Sequence, residues 1–216
     1  MNNPPSRSRG TFFVIEGIDG AGKSTQARLL AEALERDGIS VVLTREPTAG
    51  VYGSRIRSAA ASGTRLPANE ELELFGKDRA EHVDGVILPA LESGSWVVSD
   101  RYFLSTAAYQ GARGLDPESI LANSEARFPA PDCALLLELA VRDGLDRVEG
   151  RGSRDAFESE ESLAAVAEAF ASLERPYIER IDASQEPAAV FRAVLVALAA
   201  RGLVDDHLRP GPFAAD

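Results

Sequence analysis

Short apolar runs alternate with helical periodicities along this chain. Thr11 to Glu16 (TFFVIE) is an apolar, β-branched and aromatic run, which predicts a buried strand. Ser24 to Arg36 puts Ala27, Leu30, Ala31 and Leu34 on one helical face, and Gly38 follows as a stop. Ile39 to Thr44 (ISVVLT) predicts a second strand, and Trp96 to Ser99 (WVVS) a third. Between them, Glu70 to Leu91 reads as mostly helical, ending near Pro89 or running briefly past it. Ser105 to Gln110 begins another helix. Ala134 to Leu139 (ALLLEL) predicts a fourth strand, announced by Pro129 and Pro131. Ser162 to Glu174 and Pro187 to Arg201 are two further helices, the second with proline in its first turn. Strands that alternate with helices imply an α/β fold with a parallel sheet covered on both faces.

The ends read differently. Residues 1–10 are polar, with no apolar core of a signal peptide, and are expected to form a flexible cytoplasmic leader. A single domain is expected over 11–203, and a flexible tail over 204–216. Composition narrows the class. The longest uninterrupted apolar run, Ala193 to Ala200, is far short of the ~20 residues of a membrane helix. The lone Cys133 excludes an internal disulfide, and His82 and His207 lie too far from it to suggest a zinc cluster. A net charge of −11 argues against general affinity for nucleic acid or anionic membranes. Arginine supplies all the basic residues except Lys23 and Lys77, which makes the position of each lysine informative.

Lys23 falls in the most specific motif of the chain. Gly17-Ile18-Asp19-Gly20-Ala21-Gly22-Lys23-Ser24 matches G-x-x-x-x-G-K-[ST] in full, with a strand before it and a helix after it. A shuffled chain of this composition would show the pattern about 0.0015 times. Glycines let backbone N–H groups converge on phosphate oxygens, and the following helix adds its positive end. Lys23 would reach the β- and γ-phosphates and Ser24 would ligate Mg²⁺. The motif thus points to a nucleoside triphosphate with magnesium, without separating kinases from other users of the loop. Asp100-Arg101 follows the third strand directly, where parallel sheets carry their ligands. A carboxylate there can hold the magnesium hydration shell, and the arginine can clamp a second phosphate.

The segment Asp100-Arg101-Tyr102-Phe103-Leu104-Ser105-Thr106-Ala107-Ala108-Tyr109-Gln110 resembles the DR-Y-x-x-S-x-x-A-Y-Q signature of thymidylate kinases. So does Ile15 to Thr25 around the phosphate loop. Thr44-Arg45-Glu46-Pro47 is similar to the family's T-R-E-P element, and Leu74-Phe75 with Arg79-Ala80 to its monophosphate-binding helix. Arg147, Arg151-Gly152, Asp155 and Phe157-Glu158 resemble its lid, and Asp182-Ala183 its adenine-side loop. The elements occur in the family's order.

The resemblance implies a P-loop NTPase three-layer sandwich of about five parallel strands, with a mobile lid near 147–158. It implies transfer of the γ-phosphoryl of ATP to dTMP, with Mg²⁺, by a cytoplasmic homodimer. The ATP side would comprise Gly17 to Thr25 and Arg147. Catalysis would fall to Lys23, Asp100, Arg101 and the lid arginines Arg151 and Arg154, with Ser24 and Asp100 on the metal. The acceptor side would comprise Asp19, Glu46, Pro47, Phe75, Arg79, Arg101, Ser105, Thr106, Tyr109 and Gln110. Phe75 would stack on thymine, Thr106 would bond the base, and Tyr109 would exclude a 2′-hydroxyl.

Bland readings stand beside these. Phe75 fits an apolar stripe with Leu72, Tyr109 fits packing, and Asp19 fits a turn. Arg79 fits a solvated pair with Glu81 or Asp78, and the lid arginines fit a solvated charged loop. Three features depart from the family. Gly20 stands where one subgroup has arginine, and Ala156 where the usual lid has one, which moves that duty to Arg154 or Arg151. Tyr177 to Asp182 is a shortened connection, so the last strand is expected to be short or missing. A kinase for another monophosphate, and a nucleotide-binding pseudokinase, remain as alternatives.

Overall fold

The computed structural model describes residues 9–63, 65–150, 160–205 and 208. Five strands form one sheet: β1 (Phe12–Gly17), β2 (Val41–Arg45), β3 (Trp96–Asp100), β4 (Cys133–Glu138) and β5 (Ile178–Asp182). Their order is β2-β3-β1-β4-β5 and every pairing is parallel. All six residues of β1 are buried, which requires cover on both faces of the sheet. On one side α1 (Lys23–Arg36) packs against β1, β2 and β3 and beside α9 (Pro187–Ala200). Leu30, Leu34, Phe191, Val194 and Leu198 fill that layer, each fully buried. On the other, α5 (Phe103–Gly111) packs against β1 and between α6 (Pro117–Glu125) and α8 (Glu160–Ser172).

The central strand order places two strand ends together. In the β1–β3 register Ile15 lies opposite Asp100, so the phosphate loop after β1 and the Asp100-Arg101 turn open at one edge. β2 ends beside them, with Arg45 opposite Asp100. Below these ends, α2 (Val51–Ala61) and α3 (Ala68–His82) pack together, and α3 continues through a π-helical turn, Val83–Ile87, into α4 (Leu88–Glu92). The wider turn explains why the helix survives Pro89. Pro89 lies just past that turn, and the wider turn relieves the clash that its ring would make with the carbonyl one turn back.

The fifth strand corrects one expectation. Ile178–Asp182 is complete, pairing with Ala134 through Glu138. It is an edge strand of alternating charge with only Ile181 buried, so hydrophobic pattern does not announce it. Its charges are matched across the surface: Arg180 with Glu138, and Glu179 with Arg201. The strand delivers Asp182-Ala183 to the ligand edge after all. Near the two ends, Gly10 is buried with its N–H on Leu91 O at 2.8 Å, and Leu208 is buried in the core, while the rest of the expected leader up to residue 8, and residues 206–207 and 209–216 of the expected tail, lie outside the described residues. Among the described residues no helix is long and apolar enough to cross a membrane.

Candidate active site

The phosphate loop is shaped by its backbone. Gly17, Gly20 and Gly22 all have positive φ, at 137°, 83° and 92°, a region closed to ordinary side chains. At Gly20 space adds a second constraint. A Cβ there would lie 2.2 Å from the carbonyl oxygen of Gly144, in α7 (Val141–Glu149). That contact gives a physical reason why no side chain, arginine included, stands at position 20. Gly22 precedes α1 with no side-chain cap, and a Cβ on it would meet nothing. With no side chain capping them, the N–H groups at the start of α1 are available to a phosphate, for which a helix N-terminus is suited.

Lys23 is buried, with Nζ donating to Ile18 O at 2.6 Å and lying 3.5 Å from Asp19. Burial, helped by the charge of Arg101, pulls its pKa down to about 8. Ser24 donates from its hydroxyl to Asp100 Oδ2 at 2.5 Å. The other oxygen of Asp100 is buried and accepts no hydrogen bond. A carboxylate oxygen left unsatisfied beside a serine hydroxyl at a phosphate loop is the donor set that fits a hydrated Mg²⁺. Thr25 follows in the first turn of α1.

Asp19 joins the two halves of the site. It is salt-bridged by Arg101, accepts from the Tyr109 hydroxyl at 2.5 Å, and lies near Lys23. The Arg101 guanidinium also lies over the Tyr109 ring, 5.2 Å from its centroid. Burial works against the Arg101 charge, but Tyr109, Asp19 and Asp100 around it leave its pKa raised.

A second cluster lies deeper. Arg79, 2% exposed, donates from Nε and Nη2 to Glu46 Oε2 at 2.9 and 2.7 Å, and from Nη2 to Thr106 Oγ1 at 2.8 Å. The other oxygen of Glu46 meets His82 Nδ1 at 3.0 Å, and His82 Nε2 meets Thr44 Oγ1 at 2.7 Å. Arg79 is therefore no solvated partner of Glu81 or Asp78. Asp78 is itself buried and accepts from the Thr48 N–H and hydroxyl at 2.8 and 2.6 Å. Arg57 donates to the carbonyls of Pro47 and Thr48, so the loop after β2 is fastened from both sides. Phe75 is half-buried and is absent from the apolar residues that pack on the core.

The structure thus gathers Gly17 to Thr25, Asp100, Arg101, Asp19 and Tyr109, and beside them Glu46, Arg79 and Thr106. Ser105 is buried, bonded to Glu16 and Arg101. Gln110 is set apart and donates to Glu71 at 2.6 Å. Arg147 donates from Nη1 to Ala183 O at 3.1 Å, which ties α7 to the loop after β5. Arg151 and Arg154, with the rest of the lid from 151 to 158, lie outside the described residues. Sequence reasoning gave no part to Glu16, Gly144, Asp78 or the His82 bridge. Arg79 and His82, spaced i,i+3, share a helix face, and Glu16 ends a wholly apolar run; those were the readable signals.

The model of the family described as thymidylate kinase matches residues 15–194. The chain is 48% identical over 193 residues to a thymidylate kinase of Akkermansia muciniphila, covering 89% of this chain and 93% of that one. It is 46% identical to a thymidylate kinase of Desulfotalea psychrophila, covering 91% and 96% of the two chains. To one of Xanthomonas campestris pv. campestris it is 45% identical, covering 96% and 90%.

Proposed function

The chain belongs to the thymidylate kinase family, and we propose that it transfers the γ-phosphoryl of ATP directly to the phosphate of dTMP, giving dTDP and ADP. The observation that carries this reading is the meeting of a complete phosphate loop with the Asp100-Arg101 turn, tied by Asp19, above the buried Arg79–Glu46–Thr106 cluster.

Phosphoryl transfer asks for alignment of two phosphates and neutralisation of their charge, with no covalent protein intermediate. The glycine-rich backbone and Lys23 hold the donor phosphates. Ser24 and Asp100 would hold Mg²⁺, which supplies positive charge to the phosphates when bound. Arg101 reaches the acceptor phosphate by exchanging its bond to Asp19 for one to a phosphate oxygen. The guanidinium of Arg79 has Nε and Nη2 committed to protein, which leaves its Nη1 edge for the base. Half-buried Phe75 offers its ring for stacking, and stacking adds affinity more than selectivity. Tyr109, held against Asp19, screens the sugar in this reading. Glu46 acts through Arg79, holding the guanidinium rather than touching the acceptor. An arginine beyond Glu149, Arg151 or Arg154, supplies charge to the transferring group. The family reading also carries a cytoplasmic homodimer built by helix packing, which light scattering measures.

The deciding experiment is an ADP-release assay with ATP, Mg²⁺ and dTMP, dUMP, UMP, CMP, AMP or GMP in turn. Strong preference for dTMP is expected. Preference for another monophosphate would keep the kinase and discard the base assignment, and nucleotide binding without turnover would discard the kinase.

A further inference from the structure

Glu16 lies immediately before the phosphate loop, fully buried, and phosphoryl transfer as set out above does not use it. Its Oε1 accepts the N–H of Tyr102 at 2.8 Å and its Oε2 accepts the hydroxyl of Ser105 at 2.5 Å. The Ser105 oxygen in turn accepts from Arg101 Nη1 at 3.2 Å. Burial drives the Glu16 pKa up to about 7, although the Ser105 hydroxyl and the charge of Arg101 pull it down.

Arg101 needs such support. Its φ is 73°, and it is the one residue other than glycine with positive φ among the described residues. A side chain in that region is strained and persists only where the surroundings hold it. The Arg101 N–H is fixed on Ile15 O at 2.9 Å, and its carbonyl accepts the Ser99 hydroxyl at 2.8 Å. The next N–H, of Tyr102, is the one held by Glu16. Tyr102 is also the N-cap position of α5 and caps nothing with its own side chain. The carboxylate from β1 therefore sits at the N-terminus of α5, where negative charge is favoured. It grips Arg101 at both ends: the backbone through Tyr102, the guanidinium through Ser105.

We infer that Glu16 is a positioning residue that aims Arg101 at the acceptor phosphate, by fixing its backbone turn and relaying through the Ser105 hydroxyl to its guanidinium. The inference rests on the reading of Arg101 as the acceptor clamp. A carboxylate that merely holds the fold together would affect stability and active fraction. One that aims Arg101 affects the acceptor and leaves the donor alone.

The test compares wild type, Glu16→Gln, Ser105→Ala and the double variant, each well below its Tm, with separate KM values for ATP and dTMP. Each single variant should lower kcat/KM for dTMP about tenfold or more while KM for ATP moves less than about threefold. Because both changes break one relay, the double variant should lose little more than the worse single. Ser105→Ala leaves β1 intact, so it decides the matter even if Glu16→Gln fails to fold. Unchanged kcat/KM for dTMP in Ser105→Ala, or losses that multiply in the double variant, would overturn the relay. An active wild type with unaffected variants rejects this inference alone. A wild type that turns over no monophosphate rejects it together with the proposed function.

Discussion

The phosphate loop and the Arg79–Glu46–Thr106 cluster, proposed here to hold donor and acceptor, share one edge of the sheet and are built by opposite means. The loop is a single run of eight residues, Gly17 to Ser24, whose backbone does most of the holding. The pocket is assembled from side chains at the end of β2, along α3 and at the start of α5. Its centre is a buried ion pair with a histidine on its far side, Arg79–Glu46–His82. A backbone site needs glycine and a helix N-terminus. A side-chain site needs every polar atom satisfied, because a charge buried without its partner is costly. The two should therefore fail differently when a single residue is removed.

The largest effect is expected at Lys23, the one charge that the proposed donor loop would bring to the phosphates. Lys23→Ala should lower kcat roughly a thousandfold or more, and circular dichroism should show the fold unchanged. Retained turnover would remove Lys23 from the donor site.

The same contrast explains what could be read in the sequence. A contiguous loop is legible, because eight neighbouring residues carry both its chemistry and its geometry. Asp100-Arg101 was legible by place, as the residues that end a strand. The pairing of Glu46 with Arg79, 33 positions apart, is set by how β2 and α3 pack, which no local pattern records. The missed helices have local causes. In α2, Gly53 and a weak apolar stripe hide the period, since only Gly53 and Ile56 are buried. α7 carried a readable stripe, Val141, Leu145 and Val148, whose first two members pack half-buried against the core. α6 carried a readable start, Asp116 followed by Pro117, with the aspartate accepting from the N–H groups of Glu118 and Ser119. β5 hid behind its charges.

The next effect falls on the pocket. Glu46→Ala strands the Arg79 charge among buried groups, so unfolding by urea should show a loss of about 3–5 kcal/mol. KM for dTMP should rise as well. Glu70→Ala, which breaks the exposed pair with Arg55, is the control and should change stability little. Equal losses at the two sites would mean that the pocket ion pair is no more than surface charge.

Glu16 gives a pH signature of about the same size. Its pKa is about 7 in the folded chain against 4.5 in the unfolded one, so the folded state binds the proton more tightly. Stability from this group is therefore full below pH 4.5 and is lost as pH rises through 7. The loss approaches about 3 kcal/mol. Glu16→Gln should flatten that part of the curve, so wild type minus variant should fall between pH 4.5 and 8. A difference independent of pH would refute the buried, raised carboxylate.

Two alanines then test whether the loop is limited by φ or by space. Gly20→Ala meets a positive φ and the Gly144 carbonyl together, and should cost about 2 kcal/mol or more, with α7 displaced. Gly22→Ala meets only the φ and should cost about 1 kcal/mol. Equal costs would mean that the approach of α7 to the loop is not tight.

The smallest effect is the most selective, and it lies where loop and pocket touch. Tyr109 gives its hydroxyl to Asp19 and its ring face to Arg101. Tyr109→Phe removes only the hydrogen bond and keeps the ring. It should cost about 1 kcal/mol of stability and leave the preference for dTMP over UMP in place. Tyr109→Ala removes the bulk as well, and should narrow that preference. If the ring screens the sugar, discrimination therefore follows bulk and not the hydroxyl. If Tyr109→Phe narrows the dTMP-to-UMP ratio as far as Tyr109→Ala does, then the hydroxyl on Asp19 sets the selectivity. The boundary between the two halves would then be a hydrogen-bonded gate and not a steric one.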